Sequence, residues 1–221
     1  MKRLPSLELL DVDAGAPQEI AASLRDLRMF NRFFGGVRTS TELVRRAASR
    51  SGSRVTSLLE VAAGAGYVPA EVTRRVAPAL ELKVTLLDRA RTHLNGSRNG
   101  VAGDALAMPF PDSSFDLVSC NLFLHHLGPD DLQRFALEAM RVSRVAFLIN
   151  DLIRHPLHLV LAYAGFPLYR SRLTRNDAPA SVRQGYTPGE IRTLLQSVDI
   201  TNIEISRHYL YRMGIIVWKR A

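Results

Sequence analysis

A chain of 221 residues that is 47% hydrophobic is long enough for one sizeable core, and an α/β sheet between two helical layers uses nearly all of it, so one domain is expected over residues 1–221. The formal charge of +8 comes mostly from arginine scattered along the chain without a basic tail or block, and such an excess singles out neither nucleic acid nor a membrane as partner. A single cysteine, Cys120, excludes an intrachain disulfide; a reducing compartment fits, and the cytoplasm is expected.

The opening Met1-Lys2-Arg3-Leu4-Pro5 is positive but meets Glu8, Asp11 and Asp13 before any apolar run long enough for a secretion signal. Residues 18–34 set Ile20, Leu24, Leu27 and Phe30 at helical spacing, and Gly35-Gly36 ends that run. A second helix is expected over 41–49, so that residues 1–50 make a helical flap.

After the break Ser51-Gly52-Ser53, residues 55–61 read as a strand running into the small-residue loop Ala62-Ala63-Gly64-Ala65-Gly66. A helix over 69–76, a strand over 82–87 ending at Asp88, a helix from about Arg91 and a short strand near Val101 continue the alternation, which implies a parallel sheet. Residues 115–119 are the next strand, 130–142 a helix with an acidic first turn, and 145–150 an apolar strand suited to burial on both faces.

An insertion over 151–187 holds an apolar helix and the aromatics Tyr163, Phe166, Tyr169 and Tyr186. Its apolar stretch 157–168, broken by His158, Gly165 and Pro167, is far short of the ~20 residues that span a bilayer. Residues 188–198 form a helix with proline at its start, and strands over 200–206 and 211–218 form an antiparallel hairpin.

Parallel α/β sheets bind ligands at the carboxyl ends of their strands, which makes four segments informative. The first is Glu60 to Tyr67, whose small residues allow close approach while the helix behind offers N–H groups. The second is Asp88, 22 positions after Gly66, a carboxylate placed to meet two ribose hydroxyls; alone it identifies a nucleoside, not a reaction. The third is Gly103-Asp104-Ala105, and the fourth runs from Phe115 through Asn121-Leu122 to His125-His126. A nicotinamide-dependent oxidoreductase would need Gly-x-Gly-x-x-Gly at the first turn, and residues 62–67 cannot supply it.

In their order these segments resemble the class I S-adenosylmethionine-dependent methyltransferases over residues 53–150, particularly the small-molecule branch that includes the ubiquinone and menaquinone enzymes. The resemblance implies a Rossmann-like sheet of seven strands, mostly parallel with an antiparallel C-terminal hairpin and helices on both faces. It also implies S-adenosylmethionine as cofactor and S-adenosylhomocysteine as product. The family's acidic-x-Gly-x-Gly-x-Gly loop wraps the methionine moiety, and Glu60, Ala62, Gly64 and Gly66 hold the matching positions. Ala62 stands where the family has its first glycine, and its Cβ disfavours a positive φ.

By the same resemblance Asp88 binds the ribose with Arg89 along the adenine, while Asp104 accepts from the adenine amino group and Ala105 offers its backbone N–H. Asn121 and Leu122 line the cofactor near its sulfonium. His126 falls where the reacting methyl emerges and is the first candidate for a substrate-facing base, with His125 second. Arg38 reaches the cofactor carboxylate from the flap. A histidine titrating near ~6.5 suits proton removal from a hydroxyl acceptor at neutral pH.

Blander readings stand beside these. Glu60 can serve only to cap loop N–H groups, one of two adjacent histidines normally faces the core, and Cys120 is a small apolar filler. His155 and His158 lack ligating companions, so no metal is expected. The aromatic insertion reads as a lid, placing a lipophilic, phenolic or quinone-like acceptor between it and His126, to be methylated at oxygen or carbon. The partner is thus a small molecule. A nucleic-acid or protein methyltransferase is the first alternative, resting on arginine alone and lacking an Asn-Pro-Pro-Tyr-like turn at Asn121-Leu122-Phe123-Leu124. A non-catalytic S-adenosylmethionine-binding protein is the second.

Overall fold

The strands are β1 (Val55–Val61), β2 (Glu81–Asp88), β3 (Gly100–Ala102), β4 (Phe115–Asn121), β5 (Ser143–Leu152), β6 (Ile203–His208) and β7 (Arg212–Trp218). In the computed structural model, which describes residues 1–12, 14–91, 94 and 97–219, they form one sheet of order β3-β2-β1-β4-β5-β7-β6. The first five are mutually parallel, and β7 runs antiparallel to both its neighbours. Only three residues separate β6 from β7, too few for a crossover, and Leu210 (φ 52°) and Tyr211 (φ 60°) turn the chain back there.

Alternating strand residues feed two cores. Leu58, Leu117, Leu148 and Ile216 face α2 (Gly36–Ser51) and α3 (Tyr67–Val76), while Leu59, Val118, Phe147 and Ile215 face α4 (Pro129–Val142) and α7 (Pro188–Gln196). The helix starts are written in the sequence. Pro129 opens α4 ahead of Asp130 and Asp131, and Thr187 with Glu190 closes a capping box at α7. Because α3 and α4 leave opposite faces of the sheet, the strand order reverses between β1 and β4, and a crevice opens at their carboxyl ends.

Two expectations change. The second helix begins at Gly36 and not near residue 41, because Gly35 (φ 84°) makes the whole turn by itself. A Cβ on Gly36 would lie 2.3 Å from Asn31 Oδ1, so glycine lets α1 (Pro17–Phe33) and α2 meet that closely. With Val37, Leu43, Val44 and Ala47 buried, α2 belongs to the helical layer; the part of the N-terminal region that reaches across the strand ends is α1 with the residues before it. The insertion holds two helices, α5 (Pro156–Ala164) and α6 (Arg172–Gln184), the second of them polar in composition with Pro179 inside it. The helix expected from about Arg91 lies outside the described residues. Among the described residues no helix is long and apolar enough to cross a membrane.

Candidate active site

Strand β1 leads Glu60 and Val61 into a loop with three left-handed residues, Ala62 (φ 54°), Gly64 (φ 52°) and Gly66 (φ 71°). Glycine at 66 is required twice over, since a Cβ there would fall 2.7 Å from Leu86 Cδ1. At 64 no described residue lies within 4 Å of such a Cβ, so among the described residues the loop presents open space there. Ala62 adopts the glycine conformation despite its methyl group. The loop is tied to β2 by the Gly64 N–H, which donates to Asp88 Oδ2 at 2.8 Å, while Asp88 Oδ1 accepts from the Ala90 N–H at 3.0 Å. Loop and acid, separate segments in sequence, are thus one structure.

Beside them runs a buried polar chain. Glu60 accepts from the Ser119 hydroxyl and, at 2.6 Å, from Asn121 Nδ2. Asn121 Oδ1 accepts from Ser40 Oγ at 2.5 Å and from Asn150 Nδ2 at 2.8 Å. Asn150 Nδ2 also lies 2.8 Å from the Gly36 carbonyl. Parallel pairing sets Glu60 opposite Ser119 and Asn121 opposite Asn150, so adjacent strand ends make one polar wall, and α2 is hydrogen-bonded to it. Among the described residues Glu60 has hydroxyl and amide partners and no paired cation, and burial pushes its carboxyl up to about 7. Asn150 Oδ1 is buried with no hydrogen-bond partner among the described residues. A small cavity lined by Ser40, Glu60, Ser119, Asn121 and Asn150 lies against this wall. After β4 the chain reverses at Leu122 (φ 52°), whose N–H donates to the Asn150 carbonyl.

The two histidines sit in a single 3₁₀ turn, Leu124–His126. His125 is buried, with Nδ1 2.7 Å from Asp151 Oδ1 and Nε2 3.5 Å from Glu8 Oε1. Burial opposes its charge, but the two carboxylates outweigh that and push His125 up to about 10. Their own carboxyls, despite burial, are held below the usual range by the imidazolium. The two carboxylates thus favour the protonated form of His125. His126 is partly exposed, with Nδ1 2.8 Å from Asp11 Oδ2. If Nδ1 carries the proton toward Asp11, Nε2 is the basic nitrogen.

Glu8 and Asp11 belong to an N-terminal strap held by long-range contacts. Arg3 donates to the carbonyls of Gln184, His125 and Leu127 and lies 4.2 Å from the Tyr186 ring centroid. Glu8 accepts from Ser181 and Gln184 at 2.6 Å each, and the N–H groups of Leu9 and Leu10 donate to Asp177. Among the described residues, Glu8, His125 and His126 bring possible metal-ligand atoms within 4.8 Å of one another. In its charged form His125 directs the Nδ1 proton to Asp151 and the Nε2 proton to Glu8, and a metal bound at Nε2 would have to displace the second of these.

Arg89 is exposed next to Asp88. Asp104 is exposed too and accepts from the Leu106 N–H at 2.9 Å, with half-buried Ala105 between them. The Gly103 N–H donates to the Asp88 carbonyl, which joins the ends of β2 and β3. Arg38 stands on the outer face of α2 in a groove with Arg45 and Arg75, whereas Ser40 faces the Glu60 wall. In the 151–187 insertion, His155 and His158 stack on Tyr211 with centroids 4.8 and 5.3 Å away. Arg212, at the start of β7, is buried; its Nη2 reaches Asn31 Oδ1 at 3.3 Å, its Nη1 has no hydrogen-bond partner among the described residues, and burial pulls it down to about 10. Sequence reasoning missed Ser40, Asn150, Asp151 and Arg212. The signal for two of them was Asn150-Asp151, a polar pair closing an apolar strand.

A methyltransferase-domain family model matches residues 59–146. No curated protein matches the chain by sequence. Among solved structures, the plantazolicin methyltransferase BpumL, crystallised with a pentazolic desmethylPZN analog and SAH, is 12% identical with a TM-score of 0.71, the match covering 96% of this chain and 95% of that one. A SAM-dependent methyltransferase from Aquifex aeolicus is 16% identical with a TM-score of 0.52, covering 75% and 82%. A protein from Pyrococcus horikoshii OT3 is 13% identical with a TM-score of 0.59, covering 87% and 99%. At such identities the likeness is one of fold. Residues 59–146 thus resemble a methyltransferase domain, and the chain shares the Rossmann-like fold of these solved methyltransferase structures.

Proposed function

We propose that this methyltransferase moves the methyl group of S-adenosylmethionine to oxygen or carbon of a small lipophilic or aromatic acceptor, quinone-like or phenolic, in the cytoplasm. The observation that carries the reading is the bond from Gly64 to Asp88 at the point where strand order reverses, which joins a loop with open space above Gly64 to an acid suited to a ribose. That arrangement fits the cofactor.

In this reading Asp88 accepts from the ribose hydroxyls and Arg89 lies along the adenine. Asp104 and the Ala105 N–H take the two sides of the adenine amino edge. Glu60, Ala62, Gly64 and Gly66 shape the loop around the methionine part, and Asn121 and Leu122 line its sulfonium side; Arg38, turned to the outer face of α2, is not part of this pocket. When bound, the cofactor supplies a methyl group on a sulfur that is already a good leaving group. What the chain must add is alignment of the acceptor and exclusion of water. His126, oriented by Asp11, takes the proton of a hydroxyl acceptor. The fold neighbour crystallised with a desmethylPZN analog supports a small-molecule acceptor.

Calorimetric titration with S-adenosylmethionine and S-adenosylhomocysteine, followed by mass spectrometry of phenolic and quinol compounds incubated with methyl-labelled cofactor, tests the proposal. Binding of both and label in one acceptor class are expected. Binding without transfer to any acceptor would leave a non-catalytic binder; labelled nucleic acid or protein would favour the macromolecular alternative. His126→Ala is expected to lower turnover while cofactor affinity stays within about twofold.

A further inference from the structure

Helix α5 has an unusual surface. Leu157, Val160, Leu161 and Tyr163 are 58%, 59%, 45% and 43% exposed, and of this helix only Ala162 is buried. Leu168, in the turn that follows, and Phe33, at the end of α1, are each 63% exposed. The ring of Phe30 meets that of Tyr169 at 5.4 Å, which brings the end of α1 to that turn. The outward face of the lid is therefore apolar, where a polar surface would be ordinary.

Its rim is cationic. Residues 152–176 contain no aspartate or glutamate; of the arginines there, Arg170 and Arg175 are exposed, whereas Arg154 is buried against Glu190 and Arg172 is paired with Glu19. Arg170 is exposed two positions after Leu168, and Arg183 donates to the Tyr163 hydroxyl at 2.5 Å. The Arg32 guanidinium lies 5.3 Å from the Phe33 ring centroid. Apolar side chains on a short helix, with aromatics and arginines at their border, suit a helix lying in the headgroup region, where arginine meets phosphate while leucine and valine enter the acyl boundary.

We propose that the lid docks on an anionic lipid surface through α5 and Leu168, and that the lipophilic acceptor is collected there, the second part resting on the reading under Proposed function. Charge complementarity selects this occupant over a second copy of the chain. A symmetric pairing of the patch would set arginine rim against arginine rim on molecules of net charge +8, whereas an anionic bilayer neutralises that rim.

The test is sedimentation of the full chain with phosphatidylcholine vesicles, with and without phosphatidylglycerol, at low and high salt. Association with the anionic vesicles that weakens in high salt is expected. The double variant Val160→Glu/Leu161→Glu should lower partitioning about tenfold or more, with S-adenosylhomocysteine affinity and circular dichroism as in the wild type. If that variant misfolds, Leu168→Glu on the exposed turn takes its place. Absence of sedimentation with anionic vesicles, undiminished sedimentation of the variant, or a dimer in light scattering that the variant dissolves would each overturn the docking. A chain that binds vesicles but methylates no lipophilic acceptor refutes the acceptor reading alone; one that methylates such acceptors without binding vesicles refutes the docking alone.

Discussion

Replacing Ala62 by glycine should make the protein more stable. Ala62 holds φ 54° in the loop after β1, a left-handed conformation that costs an L-residue with a Cβ roughly 1–2 kcal/mol and glycine almost nothing. Against that relief stands the greater freedom glycine has in the unfolded chain, roughly 0.4–1 kcal/mol. The difference leaves a net stabilisation between about 0 and about 1.6 kcal/mol, centred on about 0.8 kcal/mol, which for a chain of this size raises Tm by about 2–3 °C at that centre. Differential scanning calorimetry of Ala62→Gly beside the wild type, each with and without S-adenosylhomocysteine, reads both the stability and any change in ligand-induced shift. A lower Tm for the variant would mean that residue 62 is not left-handed in solution, and the argument for a glycine-like loop built around an alanine would go with it.

Asp88→Ala should weaken S-adenosylhomocysteine binding by about 1.5–3 kcal/mol in calorimetric titration, the range for losing hydrogen bonds to a charged group; an unchanged dissociation constant removes Asp88 from the ribose. Glu60, raised from 4.5 to about 7, contributes stability that is fully present below pH 4.5 and lost as pH rises through about 7, on the order of 3 kcal/mol. Urea unfolding at pH 5 and pH 8 should therefore show a smaller loss for Glu60→Gln than for the wild type, and parallel losses would refute the burial argument. His125, raised from 6.5 to about 10, contributes stability present below 6.5 and lost as pH climbs through about 10. Asp151→Ala leaves that imidazole with Glu8 alone and should cost about 3–5 kcal/mol, with a flatter profile between those two values; an unaltered alkaline limb would sink the assignment.

The sheet was readable because its strands carry the two signals a chain can express locally, apolar runs of the right length and small or acidic residues where those runs stop. Glu60, Asp88 and Asn121 stand at the strand ends where that pattern places them, and the antiparallel end of the sheet follows from a connection too short for anything else. Contacts that join distant segments left no such trace. Ser40 is one polar residue on a helix among several, and nothing in its neighbours announces the bond to Asn121 across 81 positions. The histidine pair shows the same limit. Adjacent in sequence, His125 and His126 differ because Asp151 and Glu8 converge on one and Asp11 on the other, and Glu8 and Asp11 read from sequence only as charges that break up a leader. Helix α6 escaped because its polar composition and internal Pro179 imitate a loop, although its buried side anchors the strap.

Since the amides of Leu9 and Leu10 are fastened to one carboxylate, that of Asp177 on α6, peeling the strap away severs both bonds together. Deuterium uptake at those two amides would therefore rise in step, and their shared opening rate would time how often the histidine turn is uncovered to a molecule arriving from outside.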